Sequence, residues 1–359
     1  MLKRFEVSGY RNFETCAVLD LEDVKNYSFQ LECLHTNIVK TALLFGQNSQ
    51  GKTNFGHALM DITQVFTTPI ETQNNTNADS TNNIITFVYA FLFNQTSLDY
   101  KYQRDECGKL IKEELSIDDQ MIFDYDHQQQ CLVTNGLSLI HASTLNLEFV
   151  DMETSFLSYV IHNTAFRNDH VLKQLFHFVR RMKLIKTTTI PNVLESQVQR
   201  VIIEDKVQDF EGFLNTFGIA EKLEVRTCAT GRKALYLDHK RLLPFLTCGT
   251  SSMIALLQLY VNLMDVKDNE EAFFYIDDFD AYYHYETAEK IVEMFKQKKN
   301  VQVIMTSHHT NLLTTRLMRP DCIFLAANGK VQSFAHTTSR KLEEGHHLEN
   351  LYKSKEFDL

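Results

Sequence analysis

Short apolar runs, each bounded by polar or glycine residues, recur along the chain. Residues 39–45, 272–276 and 301–305 are the clearest of these runs. Continuous apolar runs of this length are typical of strands that are buried on both faces. Helical patterns follow the first two runs, at residues 54–66 and 285–296. The pattern therefore predicts buried strands that lead into helices.

The stretches between these runs differ in character. Residues 67–83 are polar and predict a surface loop, whereas residues 84–150 alternate in short runs and predict strands joined by hairpins. From 151 to about 217 the pattern is helical. The expected core residues of that stretch are Phe156, Val160, Leu172, Leu175, Phe176 and Val179. Residues 223–226 and 234–237 predict two further strands.

Composition narrows the classes of function. The chain has 359 residues, of which 44% are hydrophobic and 23% charged, as in ordinary globular proteins. Its formal net charge of −10 disfavours a general nucleic-acid binder, because such affinity comes mainly from neutralising phosphates. No apolar run approaches the roughly 20 residues that span a bilayer, and the N-terminal residues lack the apolar core of a signal peptide. We therefore expect a cytoplasmic protein with no membrane partner.

Two groups of basic residues leave two interpretations open. One group comprises Lys173, Arg180, Arg181, Lys183 and Lys186, and the other comprises Arg226, Arg232, Lys233, Lys240 and Arg241. Such charges usually form a solvated face. The alternative is a contact surface for nucleic acid or for an acidic partner.

The run at residues 39–45 leads directly into a phosphate-binding pattern. Its residues are Gly46, Gln47, Asn48, Ser49, Gln50, Gly51, Lys52 and Thr53, with Asn54 continuing into the helix. This is G-x-x-x-x-G-K-[ST], the P-loop, whose glycines let backbone N–H groups curl toward phosphate oxygens. Lys52 is expected to contact the β- and γ-phosphates and Thr53 to ligate Mg²⁺, so ATP and Mg²⁺ are the predicted ligands. The alternative, a glycine turn with an accidental lysine, is disfavoured by the strand before the loop and the helix after it.

Two acids stand at the end of the run at residues 272–276. A P-loop protein needs a carboxylate at the tip of a buried strand to hold Mg²⁺. Asp277 is the candidate on the Mg²⁺ side, and Asp278 is the candidate that polarises the attacking water. His308 follows the next predicted strand and is expected to lie over the γ-phosphate. Taken alone, the two aspartates would be a solvated turn and the histidine a surface residue.

A turn of small residues precedes an apolar helical pattern at residues 253–264. The turn spans residues 246–252 and includes Thr247 and Gly249. A helix N-terminus favours anions, which makes this turn a candidate for a second phosphate contact. Simple capping of the helix by Ser or Thr is the alternative, and it is the better explanation of the turn taken alone.

Four motifs follow one another along the chain in this order: the phosphate loop, the small-residue turn, the paired acids and the histidine. In this order the chain resembles the ABC-class ATPases of the RecF, SMC and OLD group. Within the group it resembles the compact AAA-named ATPases of bacterial anti-phage operons, of which the PARIS-type ATPase is one candidate. Residues 9–13, 46–48, 277–284, 319–321 and 344–348 carry this closer match. The resemblance implies an α/β fold, an ABC-type P-loop ATPase head with a mixed central sheet, flanking helices, an antiparallel β-lobe and a helical insertion.

The resemblance also implies a division of the chain. Residues 1–150 would form the N-terminal half of the head with the P-loop and the β-lobe, 151–220 the helical insertion, and 221–359 the C-terminal half. No sustained heptad pattern occurs between Thr53 and Thr247, so the coiled-coil arms of SMC-type proteins are not expected. The stretch after His308 is too short for the TOPRIM domain of OLD-type nucleases, so any nuclease is expected to be a separate protein.

Further residue roles come from the resemblance alone. Thr247 and Gly249 match the signature Ser and Gly, which would cap the γ-phosphate bound by a neighbouring subunit, so that ATP lies between two copies. His308 matches the switch histidine and joins Lys52 and Asp278 as a catalytic candidate. Arg11 and Asn12 fall where this group often contacts the nucleotide.

Two departures from the family affect the expected rate. The first is Thr247 in place of the signature Ser, which keeps the hydroxyl but adds a methyl group. The second is Asp278 in place of the usual Glu, with a side chain that is one methylene shorter. We expect slow hydrolysis and a long-lived ATP-bound assembly.

The implied function is a sensor and scaffold in anti-phage defence. ATP would hold copies of the chain together, and a phage-encoded trigger would change that assembly and so control a separate effector, a TOPRIM or other nuclease. A RecF-like repair ATPase that binds DNA is the alternative, which the net charge disfavours. A third possibility is a binding module whose nucleotide site is structural.

Overall fold

Two β-sheets with a helix packed between them make up the body of the protein. The computed structural model describes residues 1–67, 74–147, 154–188, 190–227 and 231–357. In chain order the strands of the described residues are β1 (Leu2–Ser8), β2 (Ala17–Asp20), β3 (Leu34–His35), β4 (Ile38–Val39), β5 (Thr41–Phe45), β6 (Ile85–Phe93), β7 (Thr96–Arg104), β8 (Leu110–Ile117), β9 (Gln120–Asp126), β10 (Cys131–Asn135), β11 (Met182–Lys186), β12 (Leu223–Thr227), β13 (Lys233–Leu237), β14 (Leu243–Pro244), β15 (Ala272–Asp277), β16 (Val301–Ser307), β17 (Ile323–Ala327) and β18 (Lys330–Ser333). The α-helices are α1 (Lys52–Met60), α2 (Phe156–Asn163), α3 (Val171–Val179), α4 (Pro191–Ile203), α5 (Val207–Thr216), α6 (Phe245–Cys248), α7 (Ser251–Met264), α8 (Tyr285–Gln297) and α9 (Leu348–Lys353).

The central sheet has the strand order β11-β15-β16-β5-β17-β18. Its strands are parallel except for β18, which pairs antiparallel with β17. Every residue of β5, β15 and β16 is buried, which explains their continuous apolar runs. The carboxyl ends of these three strands carry the P-loop, the paired acids and His308, so one edge of the sheet brings the three motifs together.

The second sheet is antiparallel and has the order β10-β9-β8-β7-β6-β1-β2. Buried and partly buried residues alternate along β6, as expected for a sheet with one face against the core. Phe87, Tyr89 and Phe91 lie on the buried face. The strands predicted within residues 84–150 are therefore present, and the N-terminal strands β1 and β2 extend the same sheet.

Helix α1 lies between the two sheets and fixes the position of the P-loop. The ring of Phe55 packs on that of Phe5 in the antiparallel sheet, with centroids 5.3 Å apart. On the other side, Gly56 lies so close to Tyr275 of β15 that a Cβ atom would come within 2.3 Å of the ring. The Tyr275 hydroxyl donates to the carbonyl of Lys52 at 2.5 Å. The first turn of α1 is thus anchored to the strand that ends in the paired acids.

The stretch predicted to be helical contains a strand of the central sheet. Helices α2 to α5 agree with the prediction, but β11 lies among them and pairs with β15. The predicted core residues are buried except Phe176, which is partly buried. Because one of its strands completes the central sheet, this stretch is not a purely helical insertion, and the division of the chain at 150 and 220 stays a prediction.

Two sequence expectations concern the surface of the molecule. Residues 68–73 of the predicted loop lie outside the described residues. Within the described ranges, no helix has both the length and the apolar character needed to cross a bilayer.

Candidate functional site

The P-loop runs from the end of β5 to the start of α1 and closes around its own lysine. The Lys52 side chain is buried, and its Nζ donates to the carbonyl of Gly46 at 2.8 Å and to that of Gln47 at 3.2 Å. Burial lowers the pKa of Lys52, and neighbouring carboxylates, of which Asp278 has the largest effect, oppose that shift. Gln47, Asn48 and Ser49 are exposed. The loop therefore presents an accessible backbone above a buried ammonium group.

Arg11 and Asn12 reach the loop from the turn after β1. Arg11 donates from Nη1 to Asn54 Oδ1 at 2.8 Å, and Asn54 Nδ2 donates to Asn12 Oδ1 at 2.8 Å. The Asn12 side chain packs against Gly51, where a Cβ would come within 2.1 Å of Nδ2. Asn75, which the sequence did not indicate, holds the guanidinium from its other side through bonds of 3.0 and 2.9 Å. In this structure Arg11 and Asn12 therefore hold the P-loop in place.

Asp277, the last residue of β15, is buried, and both of its carboxylate oxygens accept hydrogen bonds. Thr53 Oγ1 donates to Oδ2 at 2.7 Å, and Thr306 Oγ1 donates to Oδ1 at 3.0 Å. The structure thus brings together Thr53 and Asp277, the two residues predicted to hold Mg²⁺. Thr306, at the end of β16, was missed because a threonine in a strand has no distinctive pattern.

Asp278 turns away from the strand into a more open position. Its φ is +46°, in the left-handed region, and its N–H donates to Thr306 Oγ1 at 2.7 Å. His308 lies between this residue and the P-loop lysine. His308 Nε2 is 3.4 Å from Asp278 Oδ1, and His308 Nδ1 is 3.4 Å from Lys52 Nζ. Since an ammonium group only donates, this arrangement fits a neutral imidazole with its proton on Nε2.

Asp280 lies two residues after Asp278, in the turn between β15 and α8. Its side chain is buried, and its carboxylate accepts a hydrogen bond from the Ser307 hydroxyl. Burial raises the pKa of Asp280, and the Ser307 bond opposes the rise. Within one copy of the chain this carboxylate points into the protein.

The small-residue turn joins α6 to α7 and lies at the surface. Thr247 is exposed, and its hydroxyl donates to the carbonyl of Pro244 at 3.3 Å. A Cβ on Gly249 would come within 2.6 Å of the carbonyl of Phe245, so this position requires glycine. Thr250 caps α7 by accepting from the N–H of Met253 at 3.3 Å. The capping interpretation thus explains Thr250, whereas Thr247 takes no part in capping α7.

The residues present include a pair of oxygen donors of the kind that Mg²⁺ prefers. Across the parts of the chain that the structure describes, no three His, Cys, Asp or Glu side chains are grouped to hold a metal ion. Mg²⁺ in nucleotide sites commonly takes only one or two protein oxygens and completes its shell with phosphates and water. The adjacent hydroxyl of Thr53 and carboxylate of Asp277 are such a pair of oxygen donors.

Several of the basic residues are engaged in ion pairs. Arg181 pairs with Glu270 at 3.0 Å and Lys183 with Asp265. In the second group, Arg226 pairs with Glu224 at 2.7 Å, and Arg232 also pairs with an acid. These partners neutralise part of each group, which favours a solvated face over a nucleic-acid surface.

Comparison with known proteins gives one partial family match and distant structural similarities. Residues 238–314 match the family described as "AAA domain, putative AbiEii toxin, Type IV TA system". This match spans the small-residue turn, the paired acids and His308. No curated protein matches the chain.

Among the similar solved structures are three head domains of SMC proteins. The SmcHead bound to the C-winged helix domain of ScpA is 11% identical, with 92% of this chain and 96% of that chain covered and a TM-score of 0.47. The SMC head domain from Thermotoga maritima is 13% identical, with coverage of 92% and 97% and a TM-score of 0.46. The Smc head with an extended coiled coil, bound to the C-terminal domain of ScpA derived from Pyrococcus furiosus, is 10% identical, with coverage of 92% and 95% and a TM-score of 0.45.

Proposed function

We propose that the chain binds ATP with Mg²⁺ and hydrolyses it slowly. The observation that carries the proposal is the 2.7 Å hydrogen bond between Thr53 and Asp277, which joins the two halves of the site. A buried ammonium group, that of Lys52, lies beside the same loop. These groups are the oxygen ligands and the cation that a triphosphate with Mg²⁺ requires. The AAA match over residues 238–314 supports the same activity.

Each residue of the site has a role that follows from its position. Lys52 neutralises the β- and γ-phosphates, while Thr53 and Asp277 supply oxygen ligands. When bound, Mg²⁺ neutralises charge on the phosphates as it develops. Asp278 faces the more open side and orients the attacking water. His308 contacts both Lys52 and Asp278. It therefore links the carboxylate that orients the water to the lysine that binds the phosphates.

Slow hydrolysis follows from the length and the restraint of Asp278. Its carboxylate is one methylene shorter than that of glutamate, and its backbone N–H is fixed to Thr306. Because the backbone of Asp278 is held in place, it cannot move closer to the water to compensate for the shorter side chain. General-base assistance of this kind contributes about 10²–10⁴-fold to a rate when it is well aligned.

A single-turnover ATP-cleavage assay tests the role of Asp278. We expect Asp278→Asn to slow cleavage at least about tenfold and Asp278→Glu to accelerate it, because glutamate restores the missing methylene. Asp268→Asn serves as the control, because Asp268 is exposed and lies outside the site. Fast cleavage that Asp278→Asn leaves intact would remove the role given to this residue.

We further propose that two or more copies close over ATP and that this assembly controls a separate effector in anti-phage defence. The exposure of Thr247, beside a glycine that the turn requires, supports a contact outside its own chain. The family description of the match, which mentions a toxin of a toxin–antitoxin system, supports a role in defence. ATP bound across an interface stabilises the assembly, and disassembly in turn weakens ATP binding.

Co-expression with the product of a neighbouring gene tests the control of an effector. The partner expected from the resemblance is a TOPRIM or other nuclease, as in PARIS-type systems. We expect growth arrest by that protein to differ between the wild-type chain and Lys52→Ala. Equal arrest with both chains would contradict the proposal.

A further inference from the structure

A lysine from the neighbouring strand lies against the carboxylate that the P-loop threonine contacts. Lys186 is the last residue of β11, and the parallel register pairs it with Asp277. Its Nζ lies 3.6 Å from Asp277 Oδ2. The same oxygen accepts the bond from Thr53 at 2.7 Å. The ammonium group of Lys186 therefore lies next to the oxygen that ligates Mg²⁺ in the proposed function.

The lysine is also held from a second side. Its Nζ lies 2.9 Å from Nε2 of His57, which is on α1 one turn after Thr53. Because an ammonium group only donates, Nε2 is the acceptor and the imidazole carries its proton on Nδ1. The Lys186 side chain is 40% exposed, whereas that of Asp277 is 7% exposed. The lysine can swing into solvent, but the carboxylate is fixed by Thr53 and Thr306.

We propose that Lys186 is an internal counterion that competes with the divalent cation for Asp277 Oδ2 and so sets the Mg²⁺ concentration at which the protein takes up a nucleoside triphosphate. This inference rests on the proposed function. Two cations at one carboxylate oxygen repel each other, so the lysine leaves the oxygen as the metal arrives. Until then the ammonium balances the charge of a buried carboxylate, which would otherwise be costly to keep.

The neighbouring Lys183 offers a matched control. It lies on the same strand, three residues earlier, and pairs with Asp265 rather than with the site. A change at Lys183 alters the same strand and removes the same charge. An effect on the Mg²⁺ requirement that appears at Lys186 and not at Lys183 therefore reports on the contacts of Lys186 at the site rather than on the strand or the net charge.

The test is a Mg²⁺ titration of the full chain in the presence of a fluorescent ATP analogue. We expect Lys186→Met to lower the half-saturating Mg²⁺ concentration about three- to fivefold, in line with the strength of partly exposed ion pairs, and Lys183→Met to leave it unchanged. Lys186→Gln is a second variant that keeps a polar side chain on the strand. His57→Ala, which removes only the second contact of the lysine, is expected to lower the midpoint by a smaller factor.

The outcomes separate this inference from the proposed function. A wild-type chain that binds the analogue, with an unchanged or higher Mg²⁺ midpoint in both Lys186 variants, overturns the inference and leaves ATP binding intact. A wild-type chain that fails to bind the analogue at any Mg²⁺ concentration overturns both.

Discussion

Gly51→Ala tests whether the P-loop needs this glycine for two separate physical reasons. The first is conformational, because the residue has a φ of +87° and a Cβ in the left-handed region costs about 1–2 kcal/mol. The second is steric, because the new Cβ would lie 2.1 Å from Asn12 Nδ2. The Asn12 side chain would have to move and lose its bond to Asn54, at a cost of about 1 kcal/mol. Together these effects predict a loss of about 2–3 kcal/mol in the free energy of unfolding.

Gly345→Ala isolates the first effect. Gly345 has a φ of +89°, and a Cβ there would meet no atom within 4 Å. Urea unfolding should therefore show a loss of only about 1–2 kcal/mol for this variant. Adding Asn12→Ala to Gly51→Ala removes a side chain whose bond to Asn54 the single variant has already lost, so we expect Asn12→Ala to cost about 1 kcal/mol in the wild type and little in the Gly51→Ala variant.

Binding of a fluorescent ATP analogue completes the comparison. We expect Gly51→Ala to weaken binding about tenfold or more, because the loop that holds the phosphates is displaced, and Gly345→Ala to bind as the wild type does. The reasoning is refuted if Gly51→Ala is no less stable than Gly345→Ala, or if Asn12→Ala costs as much stability in the Gly51→Ala variant as it does in the wild type.

Two further variants test a buried carboxylate of the antiparallel sheet and the anchoring of the P-loop. Glu113 is fully buried and accepts bonds from Tyr100 and His127 at 2.6 Å and from the N–H of Phe156 at 2.7 Å. Burial alone would raise the pKa of Glu113, but the bond and charge of His127 together with the bonds from Tyr100 and Phe156 outweigh it, so the pKa is lowered. The stabilising effect of the carboxylate is therefore present above the ordinary pKa of glutamate, about 4.3, and is lost as pH falls through the lower folded value. At pH 7, Glu113→Gln should lower the free energy of unfolding by about 2–3 kcal/mol. In urea unfolding, the difference in stability between this variant and the wild type should become smaller at acidic pH. A difference that does not change with pH would contradict this. Tyr275→Phe removes the hydroxyl that binds the carbonyl of Lys52, and we expect a loss of about 1 kcal/mol in urea unfolding together with weaker ATP-analogue binding; unchanged binding would mean that this bond does not position the loop.

The motifs could be located from the sequence because each follows a strand that is buried on both faces. The continuous apolar runs of β5, β15 and β16 identify those strands without knowledge of their partners. Their parallel pairing then brings Lys52, Asp277 and His308 to one edge. The contacts of Thr53 with Asp277 and of His308 with Lys52 agree with this derivation.

What the sequence could not indicate depends on pairing between distant segments. β11 is only five residues long and stands among helices, and just two of those residues are fully buried, so its local pattern does not distinguish a strand. Only its pairing with β15 brings Lys186 to Asp277. Thr306 and Asn75 were missed for a related reason, because common polar residues acquire a role at the site only through a partner that is remote in sequence.

Whether ATP joins copies of this chain is decided by sedimentation velocity of the purified protein with and without ATP and Mg²⁺. A single chain has a mass of 41.7 kDa. We expect ATP with Mg²⁺ to shift the wild type to a dimer or a larger assembly and to leave Lys52→Ala at the mass that it has without nucleotide. A wild-type mass that ATP does not change, or an equal shift in Lys52→Ala, would contradict the proposal that ATP is enclosed between copies.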